Sequence, residues 1–260
     1  MKKLILLVSF ILLNAGNIEF YKNSCNTGIG SACFNLGLLY YTGDGVRQDF
    51  FKASKYWRKG CSLNNGGSCG NLGALYDGGK GVKQDYFKAR KYYEKGCELN
   101  FGGACYDLGA LYANGKVVKK DFSKAIKYWK KSCELNIGYT CGLIGYLYAN
   151  GNGLRQDYFK ARKYYEKGCE LNFGGACYDL GLLYDDGKGL RQDYFKARKY
   201  YEKGCKLNNG GACFNLGLLY ANGKGVRQNY SKAKQLFGQD CDLGNQTGCK
   251  NYAILNKQGY

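Results

Sequence analysis

A chain of 260 residues can build one large core or a row of small stacked ones. It carries 39 basic and 20 acidic residues, a formal charge of +19, with 14 cysteines and neither histidine nor proline. The missing histidine excludes a Ser-His-Asp triad and a histidine-built zinc site at the outset.

The N-terminus reads as an export signal. Lys2 and Lys3 precede an apolar run, Leu4 to Leu13, that is too short to span a bilayer. Asn14-Ala15-Gly16 supplies small residues for cleavage. The expectation is a signal peptide over residues 1–16, a mature chain from about Asn17, and a secreted or periplasmic protein. The alternative is an uncleaved membrane anchor.

Beyond it the chain repeats. Cys25, Cys61, Cys97, Cys133, Cys169, Cys205 and Cys241 are spaced by 36 residues, as are Cys33, Cys69, Cys105, Cys141, Cys177, Cys213 and Cys249. Gln84 to Tyr112 and Gln156 to Tyr184 are nearly identical. Each period predicts two helices. Helix A runs approximately from Ala104 to Asn114, with Leu108, Leu111 and Tyr112 on one face and Gly115 as its stop. Helix B runs approximately from Tyr86 to Leu99, with Asp85 at the N-cap, a stripe of Ala89, Tyr92, Tyr93 and Gly96, and an end at Asn100 and Gly102-Gly103. Trp57 and Trp129 align with Tyr93, Tyr165 and Tyr201 as core positions of helix B. Neither helix buries its stripe alone, so the pairs must stack. The predicted fold is an all-α, α/α solenoid forming a single domain over 17–260. It has about six full helix pairs, a curtailed helix B at the N-terminus and a capping helix from Lys250 to Tyr260.

Each period also carries a C-x7-C pair, one cysteine ending helix B and one starting the next helix A. The turn between them can bring the sulfurs together, and export would supply the oxidising compartment. Structural zinc sites favour cysteines closer together, often with histidine. Seven disulfides and no metal are expected.

The pattern L-G-x-L-Y…G-x-G-V…D-x-x-K-A-x-x-Y-x-x-x-x-C resembles the Sel1-like repeat, a relative of the tetratricopeptide repeat. With the cysteine pair it resembles the Helicobacter-type cysteine-rich proteins, secreted solenoids with one disulfide per repeat. Members of that family are commonly named β-lactamases, so the resemblance implies penicillin binding or slow β-lactam hydrolysis. The residues supply no such chemistry. One S-x-x-K occurs, at Ser231 to Lys234, without the S-D-N and K-T-G elements that serine β-lactamases use. Ser231 stands where the repeat has Phe87, Phe159 and Phe195, which reads as the start of a helix B. No cofactor is expected.

By analogy with the tetratricopeptide repeat, helix A lines a concave groove. One register there reads Asn35, Asn71, Asp107, Leu143, Asp179 and Asn215. The position before it reads Phe34, Gly70, Tyr106, Gly142, Tyr178 and Phe214. A further position carries Leu38, Ala74, Ala110, Tyr146, Leu182 and Leu218. Amides, carboxylates and aromatics so spaced suit a peptide or protein ligand, or a cell-wall or β-lactam-like small molecule. The alternative is that the amides cap or solvate helix A and the aromatics pack between helices. A monomeric binding scaffold is the leading expectation, with the slow hydrolase as alternative. A third reading is electrostatic adhesion to anionic envelope polymers through helix-B lysines. Nucleic acid is not an expected partner.

Overall fold

The computed structural model describes residues 18–115 and 119–260. The predicted signal peptide lies outside them. Fourteen helices and no strand occur among the described residues, beginning with α1 over residues 18–26. Helix A of each repeat is α2 (Gly30–Thr42), α4 (Gly66–Gly78), α6 (Gly102–Asn114), α8 (Gly138–Asn150), α10 (Gly174–Asp186) and α12 (Gly210–Asn222). Helix B is α3 (Phe50–Ser62), α5 (Tyr86–Glu98), α7 (Phe122–Glu134), α9 (Tyr158–Glu170), α11 (Tyr194–Lys206) and α13 (Tyr230–Asp242). The last helix, α14, spans Gln246–Lys257.

The chain divides into two compact units, Met1–Leu135 and Asn136–Tyr260. Within the first, α2, α4 and α6 each pack on the helix that follows, and α3 and α5 on the next repeat. Within the second, α8 to α13 each pack on their successor, ending on α14. Each unit is therefore a short α/α solenoid.

Helix A begins at Gly102, earlier than the sequence suggested, so the Gly102-Gly103 pair opens α6 instead of ending α5. The reason is close approach. A Cβ on the equivalent Gly66 would lie 3.1 Å from the Cβ atoms of Leu99 and Phe101. Asn100 does end helix B, in the left-handed region at φ 60°, as do its repeat equivalents, for example Asn64 and Asn208. Asparagine tolerates that conformation because its short amide bonds locally. Asp85 caps α5 by accepting from the Lys88 N–H at 3.0 Å, and Asp49, Asp121, Asp157 and Asp193 do likewise.

One helix-B aromatic seats against one helix-A glycine in each pair. A Cβ on Gly37 would lie 2.4 Å from Trp57, and one on Gly181 would lie 2.4 Å from Tyr201. Ala89 and its equivalents are fully buried at the same crossing. Six bridges follow the C-x7-C rule: Cys25–Cys33, Cys61–Cys69, Cys97–Cys105, Cys169–Cys177, Cys205–Cys213 and Cys241–Cys249. Cys133 and Cys141 are disulfide-bonded too, and no described cysteine is free. At the N-terminal end, Tyr21 packs on the Cys25–Cys33 bridge, while Phe20 is 65% exposed. No described helix is long and apolar enough to cross a membrane.

Candidate functional site

Helix B sets the floor of the site. Its core aromatic packs on a glycine of the preceding helix A, and Tyr201 also reaches Asn215 of the next. Two ring types solve the polar problem differently. The indole N–H groups of Trp57 and Trp129 donate to the carbonyls of Phe34 and Tyr106, at 3.0 and 3.1 Å. The tyrosines instead carry a hydroxyl, which must find partners among helix-A side chains. Tyr201 donates to Oδ2 of Asp185 at 3.0 Å and accepts from the Asn215 amide at 3.3 Å. Burial pushes the phenols of Tyr93, Tyr165 and Tyr201 above their ordinary range. Nearby Asp107, Asp179 and Asp185, respectively, add to the effect.

In the first unit this arrangement opens a cleft of about 460 Å³. Trp57 and Tyr93 form its floor, and Asn71, Asp107 and Asp77 give it a polar wall. Leu38 and Ala74 add apolar surface. Burial, with the neighbouring Asp77 charge, pushes the Asp107 carboxyl up to about 6. In the second unit, Tyr146, Tyr158, Tyr165, Asp179 and Leu182 surround a cleft of about 230 Å³. Burial likewise raises Asp179 to about 6.

The groove positions expected from sequence therefore separate. Asn71 and Asp107 come together in one cleft, Tyr146 and Asp179 in the other. Asn35 and Leu143 are half-buried at the same register, and Asn215 is engaged by Tyr201. Tyr106 is half-buried on α6. Phe34, Tyr178 and Phe214 pack within their units. Phe34 lies where a Cβ on Gly67 would come within 2.9 Å of it, and Tyr178 lies 3.1 Å from such a Cβ on Gly211. Phe214 meets Phe237 at 5.4 Å. Where helix A has glycine at this position, the ring comes from the next loop: Phe101 fills the space over Gly70, and Phe173 that over Gly142. Each of these junctions takes one ring from either source, which is the behaviour of a packing element.

The sequence reading missed the hydroxyls of Tyr93, Tyr165 and Tyr201, treating these residues as core alone. The signal was present in the Trp/Tyr choice at one register. A core position alone would accept either ring, but only tyrosine brings a hydroxyl that needs polar partners.

Lys80 lines the first cleft and Lys188 the second, and a further row of lysines lies at the start of helix B. Lys52, Lys88, Lys124, Lys160 and Lys196 each sit over a helix-A tyrosine at 5.2–5.5 Å. Each of those five tyrosines stacks on a helix-B tyrosine, as in Tyr76–Tyr92 at 5.6 Å. A cleft of about 650 Å³ in the second unit is lined by Arg162, Arg191 and Lys196. Arg162 and Lys196 there already pair with Glu166 and Asp193. At the S-x-x-K segment, Lys234 turns its amine to Asn256 and the Tyr260 carbonyl. No group of three or more potential metal-ligating residues is placed to hold an ion among the described residues.

These features define a class: a helix-pair repeat protein of tetratricopeptide type with disulfides across its B-to-A turns. The Sel1 repeat family matches residues 30–65, 68–101, 103–137, 141–173, 175–209 and 211–245, and the chain belongs to that family. Among solved structures it is similar to c5321, a protective antigen of uropathogenic Escherichia coli, at 26% identity and a TM-score of 0.81. That match covers 93% of this chain and 52% of c5321, so the chain spans about half the length of that relative. A Sel1 repeat protein from Oxalobacter formigenes is 28% identical with a TM-score of 0.75, over 86% of this chain and 99% of that one. Helicobacter pylori cysteine rich protein B is 40% identical over 52% of this chain and 98% of that one, with a TM-score of 0.42. Comparison with curated protein sequences gives no match.

Proposed function

We propose that this chain is an exported scaffold that holds a protein or peptide partner on its helix-A faces. Sel1 repeats are interaction modules, and the disulfides suit an oxidising compartment. The observation that carries the reading is the cleft of Asn71, Asp107, Trp57 and Tyr93. There, half-buried polar groups stand over an aromatic floor, the composition of an anchor pocket. Catalysis has no comparable support, since the only S-x-x-K lysine is directed at the C-terminal residues.

The test is capture from cell-envelope and host extracts with the wild-type chain and an Asn71→Ala/Asp107→Ala variant. A partner held by the wild type and lost by the variant supports the reading. Equal recovery by both removes the groove from consideration.

A further inference from the structure

The bridges are not equally sealed. The helix-B cysteines Cys25, Cys61, Cys97, Cys133 and Cys169 are 0–3% exposed, whereas Cys205 is half-buried. A cleft of about 410 Å³ in the second unit opens onto that bridge, lined by Cys205, Cys213, Lys206, Gln239 and Asp242. Cys241 and Cys249, at the end of the same unit, are half-buried as well. A side chain accounts for the opening at Cys205. A Cβ on Gly30, Gly66, Gly138 or Gly174 would meet the Cβ of Leu63, Leu99, Leu171 or Leu207, in the turn after the partner helix B, at 3.0–3.3 Å. On Gly210 the Cβ of Leu243 stands off at 3.6 Å, and Oδ1 of Asp240 lies nearer, at 2.6 Å. Asp240 takes the place of Gly204 and Gly168 in the earlier repeats, so its carboxylate spreads the junction where the end of α13 meets the bridge.

Thiol–disulfide exchange needs a thiolate that can reach one sulfur and a second sulfur that can depart as thiolate. Cys213 lies in the first turn of α12, where a helix N-terminus favours an anionic sulfur. Every helix-A cysteine shares that position, so access decides which bridge reacts. At Cys205 the exposed Gln239 side chain rests its oxygen 3.4 Å from Sγ, and rotation of that one side chain clears the approach. Cys213 is 1% exposed, which leaves Cys205 as the sulfur under attack. Lys206 and Asp242 are exposed, opposite in charge and in no ion pair with a described residue. A thiol that carries both a carboxylate and an ammonium group matches the two of them.

We propose that the Cys205–Cys213 bridge is a thiol–disulfide exchange site for a zwitterionic amino-acid thiol of the cysteine class. The incoming thiol gives its proton to water, and its thiolate forms a new S–S bond to Sγ of Cys205. The Cys205–Cys213 bond breaks, and Cys213 leaves as thiolate and takes up a proton. The product is a chain S-thiolated at Cys205 with Cys213 free, and no oxidant or second reductant is consumed. The test incubates the folded chain with L-cysteine or, separately, with uncharged 2-mercaptoethanol. Exchange is stopped with acid, and adducts and freed thiols are mapped by peptide mass spectrometry. The mixed disulfide is expected at Cys205, with Cys213 freed, before any of the five sealed cysteines reacts. The terminal bridge is the accessible control, because the ratio of Cys205 adduct to adduct at Cys241–Cys249 cancels each reagent's own reactivity. That ratio should be about fivefold higher with cysteine than with 2-mercaptoethanol, as two exposed ionic contacts would give. Lys206→Gln/Asp242→Asn should bring it down to the 2-mercaptoethanol value. Asp240→Gly/Gly248→Ala should slow exchange at Cys205 to the rate of the sealed bridges. First reaction of cysteine at a sealed or terminal bridge, or unchanged exchange in Asp240→Gly/Gly248→Ala, overturns the site. An equal ratio with both thiols overturns the amino-acid thiol as its substrate.

Discussion

A Cβ on Gly248 would lie 2.5 Å from Oδ2 of Asp240, so the carboxylate fills the space that a methyl group takes elsewhere. In the preceding repeats the matched pairs are Gly168 with Ala176 and Gly204 with Ala212, each leaving only 2.8 Å for a Cβ. One member of the pair must be small. Asp240 is fully buried, and neither of its oxygens has a hydrogen-bond partner. Gly248→Ala should therefore cost about 1–3 kcal/mol by overpacking. Asp240→Gly/Gly248→Ala should recover that loss by recreating the Gly204/Ala212 pair. Thermal denaturation of the double-mutant cycle checks the coupling.

The same residue predicts a pH dependence. Burial raises the Asp240 carboxyl above its ordinary value. Its folded pKa then exceeds the unfolded value of about 3.9. The stabilising contribution is fully present below that pH and is lost as pH rises through the folded pKa. Asp240→Ser should raise the melting temperature by a few degrees at neutral pH. The advantage should shrink toward pH 4. A gain that is equal at both pH values would refute the account.

Asp107 and Asp179 give a second titration. Both are raised to about 6, so their contribution to stability is complete below about pH 4 and lost as pH climbs through 6. Asp107→Asn should stabilise the chain by about 1–2 kcal/mol at pH 8 and by much less at pH 4.5. Carbon-13 NMR of the carboxyl groups checks the two midpoints directly.

The cysteine pairs carry a simpler prediction. Cys97→Ser/Cys105→Ser opens one short bridge and should cost about 2–3 kcal/mol by the loop-entropy argument. The unreduced denatured wild type should yield no free thiol.

The repeat was legible in the sequence because its determinants are local. Asp85 caps its own helix, Asn100 turns its own corner, and Cys97 meets a cysteine eight positions on. The clefts were only half legible. Asn71 and Asp107 could be placed by register, but the Tyr93 phenol near Asp107 and Asp77 could not, since period alone does not say which side chains a buried ring's polar end meets. The Phe34 row misled for the opposite reason. Its ring has a substitute in Phe101 one repeat on, and that exchange is visible only when neighbouring helices are seen together.

The central claim, that the helix-A face is the binding face, is tested most directly by site-specific photocrosslinking in cells that express the chain. A benzophenone amino acid at Ala74, exposed in the first cleft, is compared with one at Phe87, exposed on helix B. The account predicts a discrete crosslinked partner from Ala74 and none from Phe87. Crosslinks from Phe87 alone, or the same adducts from both positions, would contradict it.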